Sequence, residues 1–244
     1  MQPLIVIPAR LAATRLPGKP LAQIGNAPMI VHVLRRAQES GLGPVLVACD
    51  AEEIASAVRE AGGEAILTNP AHPSGSDRIW EAVQKFDPAG TYDVIINLQG
   101  DVPTLEPALL KSLLAPLADP AVDISTLATP ITRAEEHTNP AVVKAILAQP
   151  DGVEHPRALY FTRATAPTGD GPRYHHIGVY AYRRAALQRF VALAPSPLEK
   201  REKLEQLRAL EHGLRIDAAV VDTVPLGVDT PEDLERARAI IQAS

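Results

Sequence analysis

The sequence has a single cysteine, no long apolar run and no excess of positive charge, and each of these absences removes a class of protein. Cys49 alone cannot close an intrachain disulfide. Its place in Val45-Leu-Val-Ala-Cys49 reads as a buried strand, which fits a reducing compartment. No apolar stretch approaches the roughly 18 residues of a membrane span. Nor does a basic segment followed by a long apolar one open the chain. A cytoplasmic protein without membrane insertion is expected. A net charge of -5 over 244 residues argues against nucleic acid as a partner. Repeats, low-complexity tracts and linkers are lacking too, so a single domain with a sizeable core is expected over 1–244.

Against this acidic background, three cations fall within ten residues, Arg10, Arg15 and Lys19. They follow Leu4-Ile-Val-Ile7, a short apolar run that reads as a strand buried on both faces. Pro8, Pro17 and Pro20 keep the segment from becoming a helix, and Gly18 lets the main chain approach a ligand. A basic loop on its own is ordinarily solvated surface. This one leaves a buried strand at its carboxyl end, where open α/β sheets bind ligands, and arginine forks and a lysine suit phosphate oxygens. Two familiar phosphate motifs are missing: no G-x-G-x-x-G follows the strand, and Gly18-Lys19 is followed by Pro20 instead of Ser or Thr.

Strand and helix signals then alternate. A helix is expected over 28–39, a strand over 45–49, a helix over 51–61 capped by Asp50, and a strand over 65–67. Ser74-Gly-Ser-Asp-Arg78 opens a helix to Phe86 with Ser74 or Ser76 as its cap. Val94-Ile-Ile-Asn-Leu98 is a central strand ending in Gln99-Gly100-Asp101. That places a carboxylate where it can hold Mg²⁺, an ion commonly bound by one or two carboxylates plus phosphate oxygens. A helix over 107–117 and a strand over 123–128 come next. The Pro-, Thr- and His-rich region that follows reads as an excursion at about 130–183, with strands at 142–147 and 175–182 and turn signals at Asp151-Gly152. His175 and His176 point to opposite faces of a strand and cannot share one metal. Ser196-Pro-Leu-Glu199 is a capping box for a helix whose apolar face is Leu204, Leu207, Ala209 and Leu210. A last strand over 216–221 leads to Thr230-Pro231, a helix start that leaves Asp229 outside the helix. Alternation of this kind implies an α/β fold with a mostly parallel sheet.

The loop Arg10-Leu-Ala-Ala-Thr-Arg15-Leu-Pro-Gly-Lys19-Pro resembles the signature loop of the 3-deoxy-manno-octulosonate (Kdo) cytidylyltransferases. The resemblance recurs along the chain. Ser74-Gly-Ser-Asp-Arg78 is similar to the family's Ser-Gly-Thr-Glu-Arg. Gln99-Gly-Asp-Val-Pro103 is similar to Gln-Gly-Asp-Glu-Pro, with Val102 in place of the glutamate. Tyr160-Phe-Thr-Arg163-Ala-Thr resembles Tyr-Phe-Ser-Arg-Ala-Thr. His175-His176-Ile-Gly-Val-Tyr180 resembles Arg-His-Leu-Gly-Ile-Tyr, and Leu204-Glu205-Gln206-Leu-Arg208 matches Leu-Glu-Gln-Leu-Arg.

The resemblance implies a single three-layer α/β/α domain like the nucleotide-diphospho-sugar transferases, its excursion serving sugar binding and dimerisation. It also implies transfer of CMP from CTP to a sugar acid, in lipopolysaccharide biosynthesis. Pro8, Ala9, Arg10, Arg15, Lys19, Ser74, Gly75, Arg78 and Asp101 would bind CTP, and Asp101 and Asp229 would hold Mg²⁺. Gln99, Arg163, His176, Tyr180, Glu205 and Gln206 would bind the sugar acid, with Arg163 facing its carboxylate. A homodimer is the expected assembly. Other readings stay open at this point: a different sugar acid such as the 8-amino analogue or sialic acid, a metal-dependent glycosyltransferase, or a nucleotide sensor. The glycosyltransferase lacks its usual Asp-x-Asp around Asp101, and a sensor has no need of two aspartates.

Overall fold

The computed structural model describes residues 1–12, 15–148 and 152–243. Ala13 and Thr14 of the basic loop, and Asp151 of the expected turn, lie outside the described residues. The chain forms two compact units, Met1–Lys111 with Pro225–Ser244, and Ser112–Val224.

The first unit opens with β1 (Pro3–Ala9), whose Leu4, Ile5, Val6 and Ile7 are fully buried, as a strand covered on both faces requires. One 3-10 turn, Lys19–Leu21, and a short hairpin of β2 (Gln23–Ile24) and β3 (Ala27–Pro28) precede α1 (Met29–Glu39). Then come β4 (Val45–Cys49), α2 (Glu52–Glu60), β5 (Glu64–Leu67), α3 (Gly75–Phe86), β6 (Val94–Asn97) and α4 (Pro107–Ser112). The four longer strands pair in the order β5, β4, β1, β6, all parallel.

The order of the strands determines where a ligand can bind. From β1 to β4 to β5 the chain steps one way across the sheet, and from β5 it returns past β1 to β6. Right-handed crossovers therefore put α1 and α2 on one face and α3 on the other. The winding reverses between β1 and β6, and the crevice outside the carboxyl ends of such strands receives ligands.

In the second unit, β7 (Ile124–Pro130) is followed by α5 (Ala134–Thr138), β8 (Lys144–Ala148), β9 (Arg157–Thr162) and β10 (Tyr174–Arg183). The helices α6 (Arg184–Val191), α7 (Pro197–Glu202) and α8 (Gln206–Glu211) lead to β11 (Ile216–Val220). Antiparallel pairs β10–β7, β11–β9, β9–β8 and β8–β10, with the parallel pair β7–β11, connect all five strands in one circuit. The second unit is thus mixed, with one parallel pair among antiparallel ones, and the parallel character expected of the sheet is complete in the first. The chain returns to that unit for α9 (Pro231–Gln242).

Three expectations need correction. Asp50 does not cap α2: Ala51 holds the cap position with no side-chain bond, because the Asp50 carboxylate accepts from the Leu11 N–H at 2.9 Å and faces Arg78. The helix expected over 107–117 ends at Ser112, and a separate 3-10 turn starts at Pro116, whose ring cannot continue an α-helix. The helix after Ser196 breaks at Lys203, which is left-handed with φ 55°, so that Leu204 and Leu207 belong to a new start.

Candidate active site

Each parallel strand of the first unit delivers a polar residue at the same edge: β1 leads into Arg10, β4 into Asp50, β5 into Thr68, and β6 into Gln99-Gly100-Asp101. Gly100 is needed for close approach, since a Cβ there would meet the Pro8 carbonyl oxygen at 2.8 Å. Asp101 is thereby brought beside the basic loop.

Asp229 arrives from the far end of the sequence. Val228, Leu234 and Ala237 pack against Ile24 and Met29, with Leu16 of the basic loop against the same cluster. The Val228 N–H donates to the Asp101 carbonyl at 2.8 Å. Thr230 and Asp233 form a reciprocal capping box at the start of α9, and the Asp229 N–H also donates to Asp233. Burial raises the pKa of the Asp233 carboxyl, but the N–H groups of Asp229 and Thr230 outweigh it and hold the carboxyl below its usual range. The loop is therefore pinned on its main chain, and the Asp229 carboxylate is left to face the cleft.

The two aspartates, 128 positions apart, converge on one atom. Lys19 Nζ donates to Asp101 Oδ2 at 2.7 Å, Asp229 Oδ1 at 3.1 Å and the Val228 carbonyl at 3.0 Å. Burial pulls the Lys19 pKa down, yet the two carboxylates more than offset it and the ammonium is held above its ordinary value. Arg15 Nη2 reaches Asp229 Oδ2 at 3.2 Å. Arg10 is exposed on the cleft and makes no hydrogen bond or ion pair among the described residues.

The cleft above these groups has a volume of about 350 Å³, within the usual range for small-molecule sites. Pro8, Ala9, Ser74, Gly75, Arg78 and Gln99 line it alongside the charged residues. All the nucleotide and metal candidates of the sequence analysis, and Gln99 from the sugar set, are thus gathered at one place. Their tasks differ. Ser74 caps α3, accepting from the Asp77 N–H, and Gln99 donates to Asn97 Oδ1 at 2.9 Å. Arg78 is only 3% exposed and spends its guanidinium on Thr68 Oγ1 at 2.6 Å and Asp50 Oδ2 at 3.5 Å. It ties the exits of β4 and β5 together.

Sequence reasoning missed His72 and Pro73 in the lining, and Asp50 as an anchor of the loop. His72 is fixed by Glu81. Burial raises the Glu81 pKa, but bonds from Lys85, the Asn69 N–H and His72 overcome this and lower it to about 2. Asp50 was accessible to the strand-exit rule that singles out Asp101.

The remaining sugar candidates lie in the second unit. His176 and Tyr180 have ring centroids 5.6 Å apart although a regular strand would separate residues four apart by about 13 Å. A bulge between Ile177 and Tyr180 brings them together. The Thr126 hydroxyl donates to the Val179 carbonyl at 2.9 Å, so at 3.0 Å from His176 Nε2 it acts as acceptor. That assigns the proton to Nε2 and leaves Nδ1 facing the Gln206 amide at 3.5 Å. Burial, with a smaller push from His175, lowers the His176 pKa to about 3, and burial raises that of Tyr180 well above 10. Glu205 lies next in sequence, 3.6 Å from Arg208. Arg163 bonds elsewhere: its guanidinium donates to the Glu202 and Pro140 carbonyls at 3.0 Å each and its main-chain N–H to Glu202 Oε2 at 3.0 Å, so among the described residues the guanidinium faces no carboxylate.

The donor set suits a hard divalent ion. Asp101 and Asp229 each place an oxygen within 3.1 Å of one cationic nitrogen, so a cation is already accommodated between them. Among the described residues no group of three or more His, Cys, Asp or Glu forms a complete cage. Two carboxylates with the rest of the shell left to phosphate oxygens and water is the pattern of Mg²⁺ in nucleotide enzymes.

A family model described as cytidylyltransferase matches residues 4–216. The 3-deoxy-manno-octulosonate cytidylyltransferase of Paramagnetospirillum magneticum is 62% identical over 243 residues, covering 100% of this chain and 99% of that protein. That of Parvibaculum lavamentivorans is 66% identical over 239 residues, covering 98% of this chain and 92% of its own. Among solved structures, a CMP:2-keto-3-deoxy-manno-octonic acid synthetase complexed with CTP aligns with a TM-score of 0.91 at 39% identity, covering 100% of this chain and 99% of that one.

Proposed function

We propose, from the premise that this chain belongs to the 3-deoxy-manno-octulosonate cytidylyltransferases, that it transfers CMP from CTP to the anomeric hydroxyl of Kdo, giving CMP-Kdo and pyrophosphate. The observation that carries the chemistry is the meeting of Asp101 and Asp229 with Lys19 at the exits of β1 and β6. Family membership supplies the identity of the sugar acid.

On this reading Arg10, Arg15 and Lys19 hold the triphosphate, with the cleft wall of Pro8, Ala9, Ser74 and Gly75 beside the nucleotide. Asp101 and Asp229 are the groups that would hold Mg²⁺, which when bound offsets charge on the non-bridging oxygens and aligns the α-phosphate. The oxygen of the sugar hydroxyl attacks the α-phosphorus as its proton passes to solvent, the bond from phosphorus to the bridging oxygen breaks, and pyrophosphate leaves with the displaced charge. The basic loop stabilises that charge as it develops. No covalent enzyme intermediate is needed. Arg163, whose guanidinium bonds two main-chain carbonyls and no carboxylate among the described residues, is the group for the sugar carboxylate. His176, fixed as a neutral imidazole, orients Gln206 instead of acting as an acid. The reading also includes a cytoplasmic homodimer; mass measured in solution tests the assembly.

The experiment for the activity supplies CTP, Mg²⁺ and a panel of sugar acids and measures pyrophosphate release. Release with Kdo and not with sialic acid supports the reading; preference for the 8-amino analogue or for sialic acid replaces the acceptor. CTP binding without release in any mixture supports a sensor.

A further inference from the structure

Lys19 sits between the two carboxylates read as the ligands of a divalent ion. Its three N–H bonds are met by three acceptors, Asp101 Oδ2, the Val228 carbonyl and Asp229 Oδ1, at 2.7 to 3.1 Å. An ammonium so placed has no donor left for a phosphate, and it takes up oxygens that both aspartates would turn towards a metal. Two cations cannot share these oxygens at such short range without strong repulsion. Charge matching points the same way. Asp101 and Asp229 are balanced by Lys19 and Arg15. A bare divalent ion would add two positive charges to a neutral group, whereas the same ion carried by a triphosphate adds net negative charge, which the basic loop can meet.

We propose that Lys19 competes with the divalent ion for Asp101 and Asp229, so that metal enters only with the nucleotide, whose phosphate oxygens draw the ammonium off the aspartates. Lys19 then has two sets of partners and exchanges one for the other as substrate binds. The side chain can do this without moving the fold, since it swings on its own four-carbon stem from the short 3-10 turn Lys19–Leu21. Metal uptake in the absence of CTP, and with it unproductive occupancy of the site, is suppressed. This rests on the reading of Asp101 and Asp229 as the metal ligands.

The test uses Mn²⁺ as probe, titrated into the full chain without nucleotide and followed by the electron paramagnetic resonance of the free ion. Lys19→Met should bind Mn²⁺ at least tenfold more tightly than the unsubstituted protein, and adding Asp101→Asn should abolish the gain. Lys19→Gln, also neutral, should behave as Lys19→Met does, which separates the effect from any packing change peculiar to methionine; circular dichroism checks that both are folded. Affinity equal to or below that of the unsubstituted protein in both variants overturns the proposal. The reading beneath it fails separately, if Asp101→Asn in the otherwise unchanged enzyme keeps its Mg²⁺-dependent pyrophosphate release.

Discussion

Lowering the pH from 7 to 5 should destabilise the second unit through His176. Burial keeps its imidazole neutral, with a folded pKa of about 3 against an ordinary value of 6.5. A depressed folded pKa means that the unfolded chain takes up a proton which the folded one refuses. Stability from this group is therefore full above pH 6.5 and is lost progressively as pH falls from there towards 3. Integrated between pH 7 and 5, one such site costs about 2 kcal/mol, and the figure hardly changes provided the folded pKa stays below about 4. His176 is 7% exposed, so little solvent screening reduces it. Urea unfolding at both pH values, in the native chain and in His176→Gln, isolates the contribution: the native chain should lose about 2 kcal/mol more than the variant. Equal losses in the two proteins, or a ring resonance of folded His176 titrating near 6.5, would refute the argument.

Other substitutions probe the floor and the walls of the cleft. Arg78→Met takes the guanidinium away from Thr68 and from the mostly covered Asp50 carboxylate, which keeps only the Leu11 N–H, and should cost about 3 kcal/mol in chemical denaturation; an unchanged midpoint would mean that Arg78 faces the nucleotide and not the floor. Gly100→Ala forces a Cβ to within 2.8 Å of the Pro8 carbonyl and should cost about 1–3 kcal/mol, with activity falling as Asp101 is displaced. Arg163→Ala should raise KM for the sugar acid much more than KM for CTP, and equal increases would remove Arg163 from the carboxylate.

The first unit was largely legible in the sequence because its signals are local and agree with one another. The apolar runs at 4–7, 45–49 and 94–98 are buried strands, Ser74 and Thr230 cap their helices, and strand-end geometry alone brings Asp101 towards the basic loop. What the sequence obscured were choices between two local uses of one residue. Asp50 has the pattern of a helix cap and also the position of a strand-exit carboxylate, and tertiary contacts with Leu11 and Arg78 decide for the second. Leu204 and Leu207 keep helical spacing across a left-handed Lys203, so periodicity runs through a break. The placement of Lys19 between the aspartates was not readable at all. A long side chain 82 positions from Asp101 and 210 from Asp229 bonds both, and no local pattern marks that meeting.

The central claim is that Asp101 and Asp229 act as one unit in nucleotidyl transfer. A double-mutant cycle on kcat/KM for pyrophosphate release, with Asp101→Asn, Asp229→Asn and both together, tests it most directly. If the two serve one centre, either substitution disables it and the double variant is scarcely worse than the poorer single one. Losses that multiply, each aspartate contributing independently of the other, would contradict it.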